Sequence, residues 1–174
     1  MAEERPGIEI RLATPKDAPQ IASLLYKSFL EYRASYTDEG FAATTPASDE
    51  IRNRLDEGPI WIALHDRHVV GTVSVVPRPE ELYIRGMAVL PASRDWRLGE
   101  LLLKQVEDFA EERAYKRLIL STTPFLIRAI RLYERSGFRR TADGPHHLFG
   151  TPLFTMVKTL GVKNLAPASV KPQP

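Results

Sequence analysis

Two arginines and a glycine at a tight spacing, Arg94-Asp95-Trp96-Arg97-Leu98-Gly99, follow an apolar stretch that stops at Pro91 and precede a long amphipathic run. A turn of this kind opens a helix. Its first N–H groups have no acceptor and lie at the positive end of the helix dipole, so an anion belongs there. Arginine adds a planar fork of donors that matches a phosphate. A strand feeding a phosphate-sized hole is a site for a phosphorylated cofactor.

Other residue types along the chain could also do chemistry. Strand alternation puts Glu81, Tyr83, Arg85 and Met87 on one face and Glu80 on the other. A buried Arg85 needs a carboxylate, from Glu81 or another acid of the chain, or from a bound molecule. His146 and His147 are adjacent, which fits surface residues or a base or substrate contact. No third ligand stands near them at a recognisable spacing, so no metal is expected. Trp96 reads as a lid over a nucleotide base, a partner contact or an isolated surface tryptophan.

Periodicity gives the elements that must position these groups. Ile8, Ile10 and Leu12 alternate with polar residues as a strand does. Thr14-Pro15-Lys16-Asp17 starts a helix with apolar residues at helical spacing from Ile21 to Tyr32. Residues 34–47 read as a polar loop, and Ser48 caps a second helix that Gly58-Pro59 ends. The β-rich runs 60–64 and 69–76 form a hairpin, and Pro77-Arg78-Pro79 turns the chain into a third strand at Leu82. An amphipathic helix follows Gly99, then a strand at 117–121, a helix opened by Pro124, and strands at 139–141 and 153–160 around a loop at 143–151. The order β-α-α-β-β-β-α-β-α-β-β is a mixed α+β domain over residues 1–162, with a loose start over 1–7 and a Pro-containing tail from Lys163 read as disordered.

Composition excludes several functions. The chain has 174 residues, enough for one domain with a real core, and a net charge of only +2, too small to argue for nucleic acid or an anionic membrane. It has no cysteine, which removes thiol nucleophiles, disulfides and cysteine metal sites and fits a cytoplasmic protein. No apolar run is long enough to span a bilayer, and the start lacks the apolar core of a signal peptide. A dinucleotide enzyme would need a Gly-x-Gly-x-x-Gly turn after its first strand, and none is present.

Three runs together resemble the GNAT-type acyl-CoA N-acyltransferases. Met87-Ala88-Val89-Leu90-Pro91 is similar to the family's strand end. Arg94 to Gly99 matches its pyrophosphate turn, with Arg97 where the family usually has a glycine. Ala129-Ile130-Arg131-Leu132-Tyr133-Glu134-Arg135-Ser136-Gly137-Phe138 matches its closing helix, with Leu126 where an asparagine is common. The resemblance implies a GNAT-type fold, acetyl-CoA as co-substrate and no metal. Its cofactor-binding residues would be Met87, Ala88, Val89, Arg94, Asp95, Trp96, Arg97, Leu98, Gly99, Glu100, Leu126 and Ala129.

The resemblance also implies the chemistry. The Leu82 strand would splay from a parallel neighbour near Met87–Val89, pair with the pantetheine arm as an added strand does, and offer backbone N–H groups to the thioester oxygen. An amine then attacks the thioester directly. Presenting a lysine-like amine neutral at pH 7 costs about 4–5 kcal/mol, whereas protonating the leaving thiol is worth only about 2 kcal/mol, so losing the amine's proton is the harder step. Tyr133, which on pattern alone is a core tyrosine, takes the acid's role in the family. Glu81 is the first candidate base, acting through water, because the family's strand glutamate falls at Tyr83 here; the alternative is a solvated strand-end charge. Tyr32, Tyr83, Arg85 and His146 are candidate acceptor contacts, with Tyr36 and Phe41 as further walls. No acidic run is visible to attract a basic peptide, which favours a small-molecule amine over a protein N-terminus or lysine. A CoA-binding protein without catalysis is the rival class, and a homodimer is common in the family.

Overall fold

The computed structural model describes residues 7–161, so the loose start expected up to residue 6 and the tail expected from Lys163 lie outside the described residues. The elements are β1 (Ile8–Leu12), α1 (Ala18–Phe29), α2 (Asp38–Thr44), α3 (Ser48–Glu57), β2 (Ile60–His65), β3 (His68–Pro77), β4 (Glu81–Val89), α4 (Leu98–Glu112), β5 (Arg117–Thr122), α5 (Ile127–Arg135), β6 (Arg139–Arg140), β7 (His146–Leu148) and β8 (Thr151–Thr159).

Two of these elements, α2 and β7, fall in segments expected to be loops. Helix α2 forms because Thr37 caps it, accepting from the Gly40 N–H at 3.0 Å, and because Phe41 finds the Tyr26 and Tyr36 rings. Strand β7 forms by pairing with β8, with His146 opposite Leu153 and Leu148 opposite Thr151. Two boundaries also shift. Ala47, not Ser48, is the extended residue before α3. Pro124 sits in a turn closed by the Leu126 N–H on the Thr123 carbonyl, and α5 begins only at Ile127.

Strands β1 to β4 run antiparallel in sequence order, β4 pairs with β5 in parallel, and β8 inserts antiparallel between β5 and β6. The two faces of β2 show how the layers fill. Trp61 and Ala63 join Leu98, Leu102, Val106 and Ala110 of α4, while Ile60, Ile62 and Leu64 join Ile21, Leu24 and Leu25 of α1 and Ile51 of α3. Each face of the sheet therefore buries its own apolar set, as period-2 alternation requires. No helix among the described residues is long and apolar enough to cross a membrane.

Strand β4 carries the irregularity that matters most. Its register against β3 gains one residue between Arg85 and Ala88, and Gly86 takes φ +57°, a left-handed conformation that glycine adopts without a Cβ clash. The extra residue reverses the parity of the strand. Leu82 and Ile84 face the α4 side before the bulge, and Met87 and Val89 pack on that side after it, while Ala88 joins the α1 side. Simple alternation had put Met87 on the face of Glu81, Tyr83 and Arg85; the bulge moves it to the other.

Candidate active site

Parallel pairing of β4 with β5 covers only Glu81–Ile84 against Arg117–Leu120. Beyond Ile84 the two strands part, and β5 continues with β8 alone through Thr122. The edge of β4 from Arg85 to Val89 that faced β5 is left free for an added strand. A cleft of about 830 Å³ occupies the gap, within the size range of small-molecule sites.

One half of this cleft is built by the β4 end, the turn and α5. The turn runs Pro91–Trp96 as a 3-10 stretch, and Arg97 then takes φ +57° and ψ +32° before α4 starts. The left-handed conformation of Arg97 aims the first N–H groups of α4, those of Leu98, Gly99 and Glu100, outward without intrahelical acceptors. The Arg97 side chain swings clear of them, is 64% exposed, and pairs with Glu100 at 2.6 Å. It does not crowd the turn. Arg94 bonds Glu31 and also reaches the Ser28 carbonyl, tying the turn to the end of α1. Gly99 lies against Leu132 of α5: a Cβ there would stand 2.6 Å from Leu132 Cδ2.

Tyr133 of α5 is buried at the floor of the cleft, and its hydroxyl donates to the Met87 sulfur at 3.8 Å. A thioether is a weak acceptor, so the hydroxyl can turn to a better one. Burial, with Tyr36 close by, pushes the Tyr133 hydroxyl well above the ordinary tyrosine value, so it carries its proton throughout the physiological range.

The other half is walled by Tyr32, Tyr36, Thr44, Arg54, Tyr83, Arg85, Leu148 and Leu153. Tyr36 packs edge-on to Phe125 at 4.8 Å between ring centroids, and Tyr32 lies beside the same ring. The β7–β8 hairpin is bolted over this half by Thr37, whose N–H donates to Thr151 Oγ1 at 3.0 Å and whose hydroxyl donates to the Phe149 carbonyl at 2.8 Å. Arg85 resolves its need for a carboxylate through Glu57 of α3, at 2.5 Å.

Several expected site residues lie elsewhere. Glu81 is at the opposite end of β4, held between Arg117 at 2.6 Å and Arg78 at 3.3 Å, and does not line the cleft. These hydrogen bonds hold its carboxyl below the usual carboxylate range, which is the wrong direction for a base. His146 is exposed on β7, and it is Leu148 and Leu153 of the hairpin that line the cleft. Trp96 packs edge-on against His65 at 4.7 Å and on the α4 core rather than covering the cleft. The Leu98 side chain is fully buried, and Asp95 is exposed outside the cleft, so neither contributes a side chain. Met87, Ala88, Val89, Arg94, Arg97, Gly99, Glu100, Leu126 and Ala129 all line the cleft.

Thr44, Arg54, Leu148 and Leu153 are lining residues that sequence pattern did not point to, and Arg54 is the charged one among them. Arg54 sits at i+3 from the buried Ile51 and beside the half-buried Leu55, so its position on the inner border of α3 was the available signal. Among the described residues no group of three or more His, Asp or Glu could hold a metal ion. A smaller hollow of about 270 Å³ beside β1, lined by Glu9, Arg11, Asp66 and Arg67, shares no residue with the cleft.

The chain is similar to known N-acetyltransferases. The chain is 30% identical over 135 residues to the uncharacterized N-acetyltransferase YjgM of Escherichia coli (strain K12), covering 74% of this chain and 80% of that protein. It is 37% identical over 124 residues to the probable N-acetyltransferase camello of Xenopus laevis, covering 67% of this chain but about half, 54%, of that protein. The crystal structure of PaiA N-acetyltransferase from Thermoplasma acidophilum in complex with coenzyme A shares the fold, with a TM-score of 0.77 at 16% identity over 88% of this chain and 99% of that one. Residues 21–138 match the model of the acetyltransferase (GNAT) family, and the chain belongs to that family.

Proposed function

We propose that the protein transfers the acetyl group of acetyl-CoA to the primary amine of a small molecule. The observation that carries this reading is the unpaired edge of β4 beyond Ile84, opening on the Tyr133 hydroxyl and on the first turn of α4. The residues present fit the co-substrate: a free edge for the pantetheine amides, unpaired N–H groups and Arg97 for the pyrophosphate, and a proton donor beside the strand end. The coenzyme A held by the Thermoplasma acidophilum relative supports the same assignment.

Acetyl-CoA supplies an activated thioester. The Met87 N–H at the β4 bulge, on the edge away from β3, stabilises the negative charge that develops on its oxygen. The acceptor nitrogen forms the new C–N bond as the C–S bond breaks. Tyr133 donates its hydroxyl proton to the departing sulfur and recovers one from solvent. Burial raises the tyrosine, and it would raise a thiol at the same place as well, so the transfer is less uphill than ordinary values suggest. The lost amine proton goes to water. Among the described residues lining the cleft there is no histidine, and the one carboxylate, Glu100, is paired with Arg97 and Arg135.

Calorimetric titration with acetyl-CoA at low and raised salt, followed by thiol release with a panel of amines, tests the proposal. Micromolar binding that weakens with salt, plus amine-dependent thiol release, is the expected result. No binding at millimolar acetyl-CoA would refute it.

A further inference from the structure

The acceptor half of the cleft is lined by two guanidinium groups and by no carboxylate among the described residues. Of the half-buried arginines, Arg11, Arg33, Arg85 and Arg94 each have a carboxylate partner. Arg54 has none among the described residues, and its one hydrogen bond is a long 3.4 Å contact to the Ala43 carbonyl. Arg85 spends one nitrogen on Glu57, but its Nε is buried without a partner. Burial, and after it the like charge of Arg85, pushes the Arg54 guanidinium below its ordinary value, although Glu50 and Glu57 nearby pull the other way without touching it. A half-buried guanidinium with donors unused and a like charge beside it calls for an anion.

The position of Arg54 says where that anion sits. Its Nη1 would be 3.4 Å from a Cβ built on Gly86, so the guanidinium lies over the β4 bulge. Met87 and Ala88, where the acceptor nitrogen attacks in the reading above, are the next two residues of the strand. The anion and the attacking nitrogen are therefore neighbours, not opposite ends of a long chain. A monocationic alkylamine would enter against two like charges, whereas an amine with an adjacent carboxylate enters nearly neutral and satisfies both arginines.

We propose that the acceptor is an amino acid, an amine with a carboxylate next to its nitrogen, and that Arg54, assisted by Arg85, binds that carboxylate. This rests on the acetyltransferase reading and narrows it. A protein N-terminus and a lysine side chain both lack a carboxylate beside the amine, so neither fits.

The test is thiol release from acetyl-CoA with each of the twenty standard L-amino acids, its C-terminal amide and its decarboxylated amine. At least one amino acid should exceed its own amide and amine in kcat/KM by about 10²-fold. Arg54→Gln should lower that preference by more than tenfold, chiefly through KM, while acetyl-CoA titrates with unchanged affinity. Arg54→Lys should recover part of the preference, because the charge returns without the fork. Turnover of amides or amines at or above the parent acids would overturn the inference and leave the acetyltransferase reading standing, as would an acid preference untouched by Arg54→Gln. Absence of turnover with every compound overturns the inference too; the acetyl-CoA titration then says whether the broader reading falls with it.

Discussion

At its N-terminal end β4 is hydrogen-bonded on both edges, to β3 and to β5, and Glu81 there is clamped by Arg117 and Arg78. Past Ile84 the same strand keeps β3, loses β5, bulges at Gly86 and meets Arg54, which has no carboxylate in contact among the described residues. The two ends thus use opposite electrostatics: carboxylates quenched by arginines at one, arginines left short of carboxylates at the other. A strand edge without partners forgoes roughly 1 kcal/mol per missing hydrogen bond. The ladder and ion pairs at the closed end hold β4 in place so that the open end can stay unpaired without fraying. The difference separates groups that stabilise the fold from groups left available to a ligand.

The contrast breaks most sharply if the open end is filled. Gly99→Val puts a branched side chain where Leu132 Cδ2 already stands 2.6 Å from the Cβ position, so the Leu132 side chain or α5 itself must shift at the turn. Affinity for acetyl-CoA should fall by about 10²-fold, equivalent to about 2.7 kcal/mol, with the chain still folded by circular dichroism. Next in size is Tyr133→Phe. Protonating a thiol of ordinary pKa at pH 7 is worth about 2 kcal/mol, so kcat should fall by about 30-fold, and by somewhat more to the extent that burial raises the thiol. Acetyl-CoA affinity should be unchanged, since among the described residues the hydroxyl's partner is the weakly accepting Met87 sulfur. A loss of 10⁴-fold would show that the hydroxyl does more than protonate sulfur.

How much of this was legible in the sequence follows the same division. The strands and long helices were readable because each buries one apolar stripe at a fixed period, as α4 does with Leu98, Leu102, Val106 and Ala110. The turn was readable because its residue types and spacing are local. Alternation put Glu81 on the face of Tyr83 and Arg85, where it lies, but as a local rule it cannot see that Glu81 stops short of the cleft and that Arg117, distant in sequence, stands beside it across the parallel pair. The same rule failed at Met87, where a bulge inserts one residue. Arg54 was missed because nothing in α3 shows that its inner border faces the bulge of β4 rather than solvent. Helix α2 and strand β7 each depend on tertiary pairing, α2 on the roof formed with Thr151 and β7 on β8.

Arg97→Gly sharpens the comparison at the turn. The left-handed backbone costs a non-glycine residue about 1 kcal/mol, partly offset by glycine's greater chain entropy when unfolded. The variant should therefore melt about 1–3 °C higher. It also loses an exposed cation at the anion site, so acetyl-CoA affinity should drop about fivefold and its salt dependence should flatten. Gain of stability with loss of affinity would mark Arg97 as a ligand contact held at the fold's expense. Equal affinity would leave the backbone N–H groups as the whole of the anion site.

The smallest effect is expected at the closed end, from Glu81→Gln. The Arg117 and Arg78 contacts hold the Glu81 carboxyl below its ordinary 4.5, so it stabilises the fold above that value and the contribution is lost as pH falls through the depressed one. The pair is near the surface, so at pH 7 the variant should lose at most about 1 kcal/mol, a drop in melting temperature of about 2–4 °C that vanishes in acid. Its kcat/KM should stay within twofold of the parent, because the carboxylate lies outside the cleft. The pH dependence should be unaltered as well. With no histidine or unpaired carboxylate among the described lining residues, log kcat/KM should rise with unit slope up to the acceptor's own pKa, and the limb should move when a less basic acceptor is substituted. A limb near pH 6–7 that ignores the acceptor, lost in Glu81→Gln, would return this residue to the reaction and erase the division between the two ends of β4.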